Sequence, residues 1–183
     1  MDRIAGASPE PRARITGAVY LLYFLTAVLG QSLVSRKPAV YGEAVNLFSD
    51  ACYVAVTVLF YLLFKPVNRG VSLAAALFSL VGCAITILDL FHLAPSHLSP
   101  LLFFGPYCLL LGYLIFRSTF LPRILGVLMA LAGLGWVAFL SPAVAKYLAL
   151  YLEILGVLAE GLLMLWLIVK GVNVLRWKEQ AKA

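Results

Sequence analysis

Charge is scarce in this sequence. Only 12% of its 183 residues are Asp, Glu, Lys or Arg, against about 25% in ordinary soluble domains. With 63% hydrophobic residues and a mean hydropathy of +1.01, a soluble domain of this size could not hide its apolar surface. Cysteine is also sparse: Cys52, Cys83 and Cys108 form no C-x-x-C pair, and each lies in an apolar run, which reads as packing and not as a redox or zinc site. Histidine occurs twice, at His92 and His97, too close in sequence to hold a haem between two helices. No nucleotide loop, nucleophile triad or metal motif is present. The alternating pattern of a membrane barrel is missing as well. Soluble globular, disordered and fibrous classes are thereby excluded, and an integral membrane protein is left.

What is present is a set of long apolar runs. About 20 residues at 1.5 Å each cross ~30 Å of hydrocarbon. Six stretches qualify, over 16–34, 44–64, 70–94, 99–116, 122–140 and 146–169, punctuated by Pro38, Pro66, Pro95, Pro100, Pro122 and Pro142. The first is too long for a signal-peptide core and is read as retained. The expectation is an all-α integral membrane bundle of six transmembrane helices, one domain over 1–183, with short polar tails at 1–15 and 171–183.

Lys and Arg placement orients it. With the N-terminus cytoplasmic, 11 basic residues fall inside and three (Arg36, Lys37 and Lys146) outside, which accounts for all 14. Both termini are therefore expected in the cytoplasm. The formal net charge of +6 is read as an inner rim against anionic headgroups, not as a nucleic-acid surface. Tyr61–Lys65 resembles Tyr113–Arg117, a likeness that two inward helix ends explain without a repeat.

Four of the eight acids lie within the expected spans: Asp50, Asp89, Glu153 and Glu160. A charge at the bilayer centre costs about 2.5–3.5 kcal/mol on insertion scales, so these acids are functional candidates and should face the bundle interior. By helical rise, Asp50, Asp89 and Glu153 sit ~8–10 Å from the outer helix ends and Glu160 two turns deeper. Polar stripes support a shared interior: Thr16, Tyr20, Tyr23, Ala27 and Gln31 on the first helix, and Asn46, Asp50, Tyr53, Thr57 and Tyr61 on the second. Glu153 and Glu160 are a heptad apart. Asp89 is three residues from Thr86 and from His92. In the fourth helix, Pro106 between Gly105 and Tyr107 frees a carbonyl at the depth of the acids. Ala75-x3-Ser79-x3-Cys83 and Gly126-x3-Ala130 read as packing seams.

The expected ligand-binding set is Gln31, Asn46, Asp50, Tyr53, Asp89, His92, Tyr107, Glu153 and Glu160, lining one cavity around buried carboxylates. Asp89, His92 and His97 have metal-ligand chemistry, but interfacial histidines account for them, so no metal and no cofactor is expected. Three functions compete. The first is a binding or transport-like membrane protein for a small cationic or amphipathic ligand. The second is an intramembrane acid–base enzyme on an isoprenoid- or sterol-like lipid, with the four acids as catalytic candidates. The third is an accessory subunit in which the acids only join helices. Expected partners are membrane lipids, no nucleic acid and no second copy of the chain, the bundle being a monomer with the sixth helix central.

Five stretches carry a family resemblance: RITGAVYL at 14–21, LFKPVN at 63–68, GYLIFRS at 112–118, FLPRILG at 120–126 and EGLLMLWLIVKGVN at 160–173. In them the chain resembles a family of bacterial multi-pass membrane proteins catalogued as domain-of-unknown-function family 4386. The resemblance implies a six-helix protein of the bacterial inner membrane and places Glu160 in a family motif. It implies no activity.

Overall fold

A computed structural model describes residues 9–34, 40–93 and 99–182. Seven helices follow one another: α1 (Pro9–Val34), α2 (Val40–Phe64), α3 (Arg69–Leu90), α4 (Leu101–Arg117), α5 (Arg123–Ala138), α6 (Pro142–Val169) and α7 (Val174–Gln180). There is no strand among the described residues. The helix ends follow local chemistry. The Asn68 side chain accepts from the Val71 N–H and starts α3, and Asn173 does the same for Arg176 at the start of α7. Pro142 opens α6, where its missing N–H costs nothing. Gly171, at φ +64°, stops α6 in the left-handed conformation that glycine adopts freely.

Each helix from α1 to α6 packs on the next, and α6 returns to α1, so the six close into a ring. The sixth helix is thus one stave of the ring and not its centre, as the sequence had suggested. Inside the ring lie Tyr20, Val56, Phe60, Phe64, Tyr107, Leu111, Leu114, Met129, Leu163 and Leu167, all buried. Outside it, large apolar side chains stand exposed, among them Leu25, Val28, Leu77, Leu134, Val157 and Leu165. Water would not tolerate such a surface on a monomer, whereas lipid does. α1, α2, α3 and α6 are long and apolar enough to cross a membrane, and α4 and α5 are shorter apolar helices of 17 and 16 residues. The chain is an all-helical multi-pass membrane protein.

Small residues bring the staves together, because lipid-embedded helices associate through close backbone packing and hydrogen bonds. The tightest seam joins α4 and α5. A Cβ at Gly112 would lie 2.7 Å from the Gly126 carbonyl oxygen, and one at Gly133 would lie 2.8 Å from that of Gly105. The α2–α3 seam uses hydroxyls instead: Thr57 and Ser79 share a buried hydrogen bond of 2.6 Å. Ala75, Ser79 and Cys83 are all buried there.

Helical structure is present within both stretches read as polar tails. α1 begins at Pro9, with Arg14 and Glu10 paired across one turn at 2.9 Å. The segment after residue 171 folds as α7 against one end of the ring. There the Trp177 indole N–H donates to the Leu63 carbonyl (2.9 Å), and the Gln180 amide donates to the Arg117 carbonyl (3.3 Å). This end also carries Lys65, Arg69, Arg117, Arg123 and Lys170, and is called the basic end below.

Candidate functional site

At the opposite end, α1, α2 and α3 part around an open pocket of about 260 Å³. α1 contributes Tyr23, Ala27 and Gln31, α2 contributes Asn46, Ser49 and Asp50, and α3 contributes Thr86, Asp89 and Leu90. The helical period explains the grouping. Residues three, four and seven apart share a face, and the three faces meet at one height. Gly30 on α1 lets the Asn46 side chain lie directly against the backbone; a Cβ there would collide with its amide. Ser49 Oγ donates to the Tyr23 carbonyl (3.3 Å), which ties α2 to α1 just below the mouth. Thr86 Oγ1 donates back to the Gly82 carbonyl (3.1 Å). The described lining therefore holds two carboxyls, two side-chain amides, three hydroxyls and no cation. Carboxylates attract a positive group, hydroxyls and amides accept its N–H donors, and the Tyr23 ring offers a face for a cation.

Of the expected set, Gln31, Asn46, Asp50 and Asp89 meet in this pocket. The other five lie elsewhere. Glu160 is further along the ring interior, where its Oε2 accepts from the Tyr20 hydroxyl at 2.5 Å and the Trp136 indole lies nearby. Tyr53 and Tyr107 are buried beside this pair. The Tyr53 ring stands 4.6 Å from that of Tyr23, 6.1 Å from Tyr20 and 6.2 Å from Tyr107. The Tyr107 hydroxyl is fully buried without a hydrogen-bond partner among the described residues. His92 lies past the end of α3 at φ +57°, exposed, with its backbone N–H donating to the Asp89 carbonyl (2.9 Å).

The expectation of buried carboxylates is corrected. Among the described residues no carboxyl group is buried: Asp50 and Glu160 are partly covered, and Asp89 and Glu153 are exposed. Glu153 does share its side of α6 with Glu160. Every buried residue of α6 lies at Gly156 or beyond, however, so at the height of Glu153 no neighbouring helix covers that side. Asp89 is exposed because the pocket is open at the last turn of α3.

The pocket's Tyr23, Ser49 and Thr86 were absent from the expected set. Tyr23 belongs to the α1 polar stripe and Thr86 shares a face with Asp89, so their spacing already carried the signal. Ser49 had none beyond its place next to Asp50. Among the described residues no three His, Cys, Asp or Glu side chains converge on a metal position. His97, the further metal-type residue, lies outside the described residues.

A family model described as "Domain of unknown function (DUF4386)" matches residues 35–99 and 95–171. An uncharacterized protein of the archaeon Archaeoglobus fulgidus is 30% identical over 145 residues, covering 76% of this chain and 89% of its own length. No solved structure matches the chain.

Proposed function

We propose that this chain, which belongs to the domain-of-unknown-function family DUF4386, is a membrane-embedded binding protein, of transport-like type, for a small cationic or amphipathic ligand. The carrying observation is the juxtaposition of Asp50 and Asp89 in one open pocket whose described lining holds no cation. Two carboxylates in one site repel each other, and an incoming cation relieves that repulsion. Gln31, Asn46 and Tyr23 complete the wall. Glu160 and its tyrosines lie beneath it, while Glu153 and His92 stand aside from it.

The test is equilibrium dialysis of the purified protein in detergent against tetraphenylphosphonium, a cationic amphiphile. A unit positive charge about 6 Å from a carboxylate gains about 3 kcal/mol at an effective dielectric of about 20, before the cost of desolvation. Asp50→Asn and Asp89→Asn are therefore each expected to weaken binding by roughly ten- to a hundredfold. Parent-like affinity in both variants ends the reading.

The proposed topology is six spans with both termini in the cytoplasm, in the cytoplasmic membrane of a bacterial cell, as a monomer surrounded by lipid. Support comes from the cluster of Lys and Arg at the basic end, matching the positive-inside rule. α4 and α5, at about 25 Å each, would span with local thinning of the bilayer. In a background lacking the native cysteines, Ser99→Cys should react with an impermeant thiol reagent added outside intact cells. Gly70→Cys, in the first turn of α3 at the basic end, should react only after permeabilisation. The reverse pattern rejects the orientation.

A further inference from the structure

The pocket and Glu160 are joined by a run of tyrosines. Tyr23 lines the pocket, and its hydroxyl lies within electrostatic range of both Asp50 and Glu160. Its ring packs on Tyr53 at 4.6 Å, and Tyr53 packs on Tyr20 at 6.1 Å. Tyr20, wholly buried, donates to Glu160. Tyr107 adds a buried hydroxyl with no partner, and its ring stands 6.2 Å from that of Tyr53. Three helices, α1, α2 and α4, thus contribute phenols to one aromatic cluster that reaches from the pocket, at Tyr23, to Glu160, at Tyr20.

A purely structural acid does not need this surplus. Tyr20 already gives Glu160 a hydrogen-bond partner, which is enough for helix glue. Tyr53 and Tyr107 are additional, and an orphaned buried hydroxyl loses one to three kcal/mol of hydrogen bonding, on the order of its desolvation. Such groups persist where a water or a proton passes.

We propose that Glu160 is a proton-exchange site coupled to the Asp50 pocket through the hydroxyls of Tyr20, Tyr53 and Tyr23. The inference rests on the reading that the pocket takes a cation. When a cation settles against Asp50, a positive charge enters the electrostatic range of Tyr23 and opposes a proton on Glu160. The Tyr20 hydroxyl, which donates to Glu160, first turns toward Tyr53; the carboxyl proton then passes to Tyr20 Oη as Tyr20 releases its own proton to Tyr53, and Tyr53 releases its own in turn to Tyr23. Tyr23 gives its proton to pocket water. Each tyrosine ends with one proton, Glu160 ends as carboxylate, and one proton leaves for one cation bound. Tyr20 and Glu160 are already in hydrogen-bond contact, whose direction reverses in this step, and the remaining steps need a bridging water, for which the Tyr107 hydroxyl is a ready partner. The titratable groups facing Glu160 are Tyr20 and Tyr23 from α1, Tyr53 from α2, and Tyr107 and Cys108 from α4. α5 presents only the Trp136 indole.

The test is infrared spectroscopy of the purified protein in detergent, which reads the carbonyl stretch of a protonated carboxylic acid. The parent should show such a band at acidic pH that vanishes on alkaline titration. Glu160→Gln should lack it, and Tyr20→Phe should move it, because one hydrogen bond to that group is gone. Adding tetraphenylphosphonium at fixed pH should bleach the band in the parent and release about one proton per cation bound, read by a pH dye. In Asp50→Asn the band should remain and the cation should leave it unchanged. A titrating band unaltered in Glu160→Gln, or cation binding that leaves the parent band intact, overturns the proposal while the pocket stands. Undiminished cation affinity in Asp50→Asn and Asp89→Asn alike instead sinks the pocket, and with it the coupling, even if Glu160 still titrates. Should Glu160→Gln fail to fold, a Tyr20→Phe band at the parent frequency is the overturning result.

Discussion

Gly126→Val is expected to abolish recovery of folded, monodisperse protein from membranes. A Cβ at Gly126 would lie 2.7 Å from both the Gly112 carbonyl oxygen and the Phe116 backbone nitrogen. Neither obstacle is a side chain that can swing away, so α4 and α5 must separate. Separation would also disturb Gly105 against Gly133 one heptad along, because both close approaches belong to the same α4–α5 seam. The smaller insertions Gly112→Ala and Gly126→Ala should each cost about 1–3 kcal/mol, the usual range for overpacking. Gly161→Ala is the control. Nothing lies within 4 Å of a Cβ there, and a mid-helix glycine is about 0.5–1 kcal/mol worse than alanine, so that variant should be unchanged or slightly more stable. Thermal unfolding in detergent ranks the three alanine variants, and the yield of monodisperse protein reads Gly126→Val. A Gly126→Ala protein that melts with Gly161→Ala would show that the seam does not hold the ring.

The second large effect concerns the bond that closes the ring. Glu160→Leu should destabilise the protein by about 1–3 kcal/mol, since it removes the acceptor of the wholly buried Tyr20 hydroxyl. Tyr20→Phe should also destabilise, by removing the donor from Glu160. The double variant should lose less than the sum of the two, with a coupling of roughly 0.5–3 kcal/mol. Glu160→Gln keeps an acceptor for Tyr20 and should fall between the parent and Glu160→Leu. Strict additivity in the cycle would mean that the hydrogen bond does not hold α6 to α1.

The ends of the spans were legible because proline and glycine write them. α2 ends at Phe64, two residues before Pro66, as expected, and α6 runs to Val169 just before the left-handed Gly171. Gln31, Asn46, Asp50 and Asp89 could be grouped in advance because equal depth and a period of 3.6 act together. Glu153 shows where that logic stops. Heptad spacing sets an angle around one helix and says nothing of whether a second helix stands opposite at that height. α7 was invisible for another reason. Seven residues hold too little periodicity to detect, and its docking depends on single contacts from Trp177 and Gln180. The tyrosine cluster was visible only as separate stripes, since which stripes face one another is decided by the order of helices around the ring.

The ring has a consequence for how the protein is made. Every other seam joins helices adjacent in the chain, but Tyr20 must wait for Glu160, 140 residues later. While the ribosome is still adding α2 to α5, the Thr16–Tyr20 side of α1 has its final partner neither translated nor inserted. A polar strip is then open to lipid or to whatever holds the nascent helix. Gly17, which seats against Ile168 of α6, is left equally uncovered. Truncation anywhere before Leu167 would leave an arc with two unmatched edges, so quality control should see an orphaned α1 long before it sees a faulty pocket.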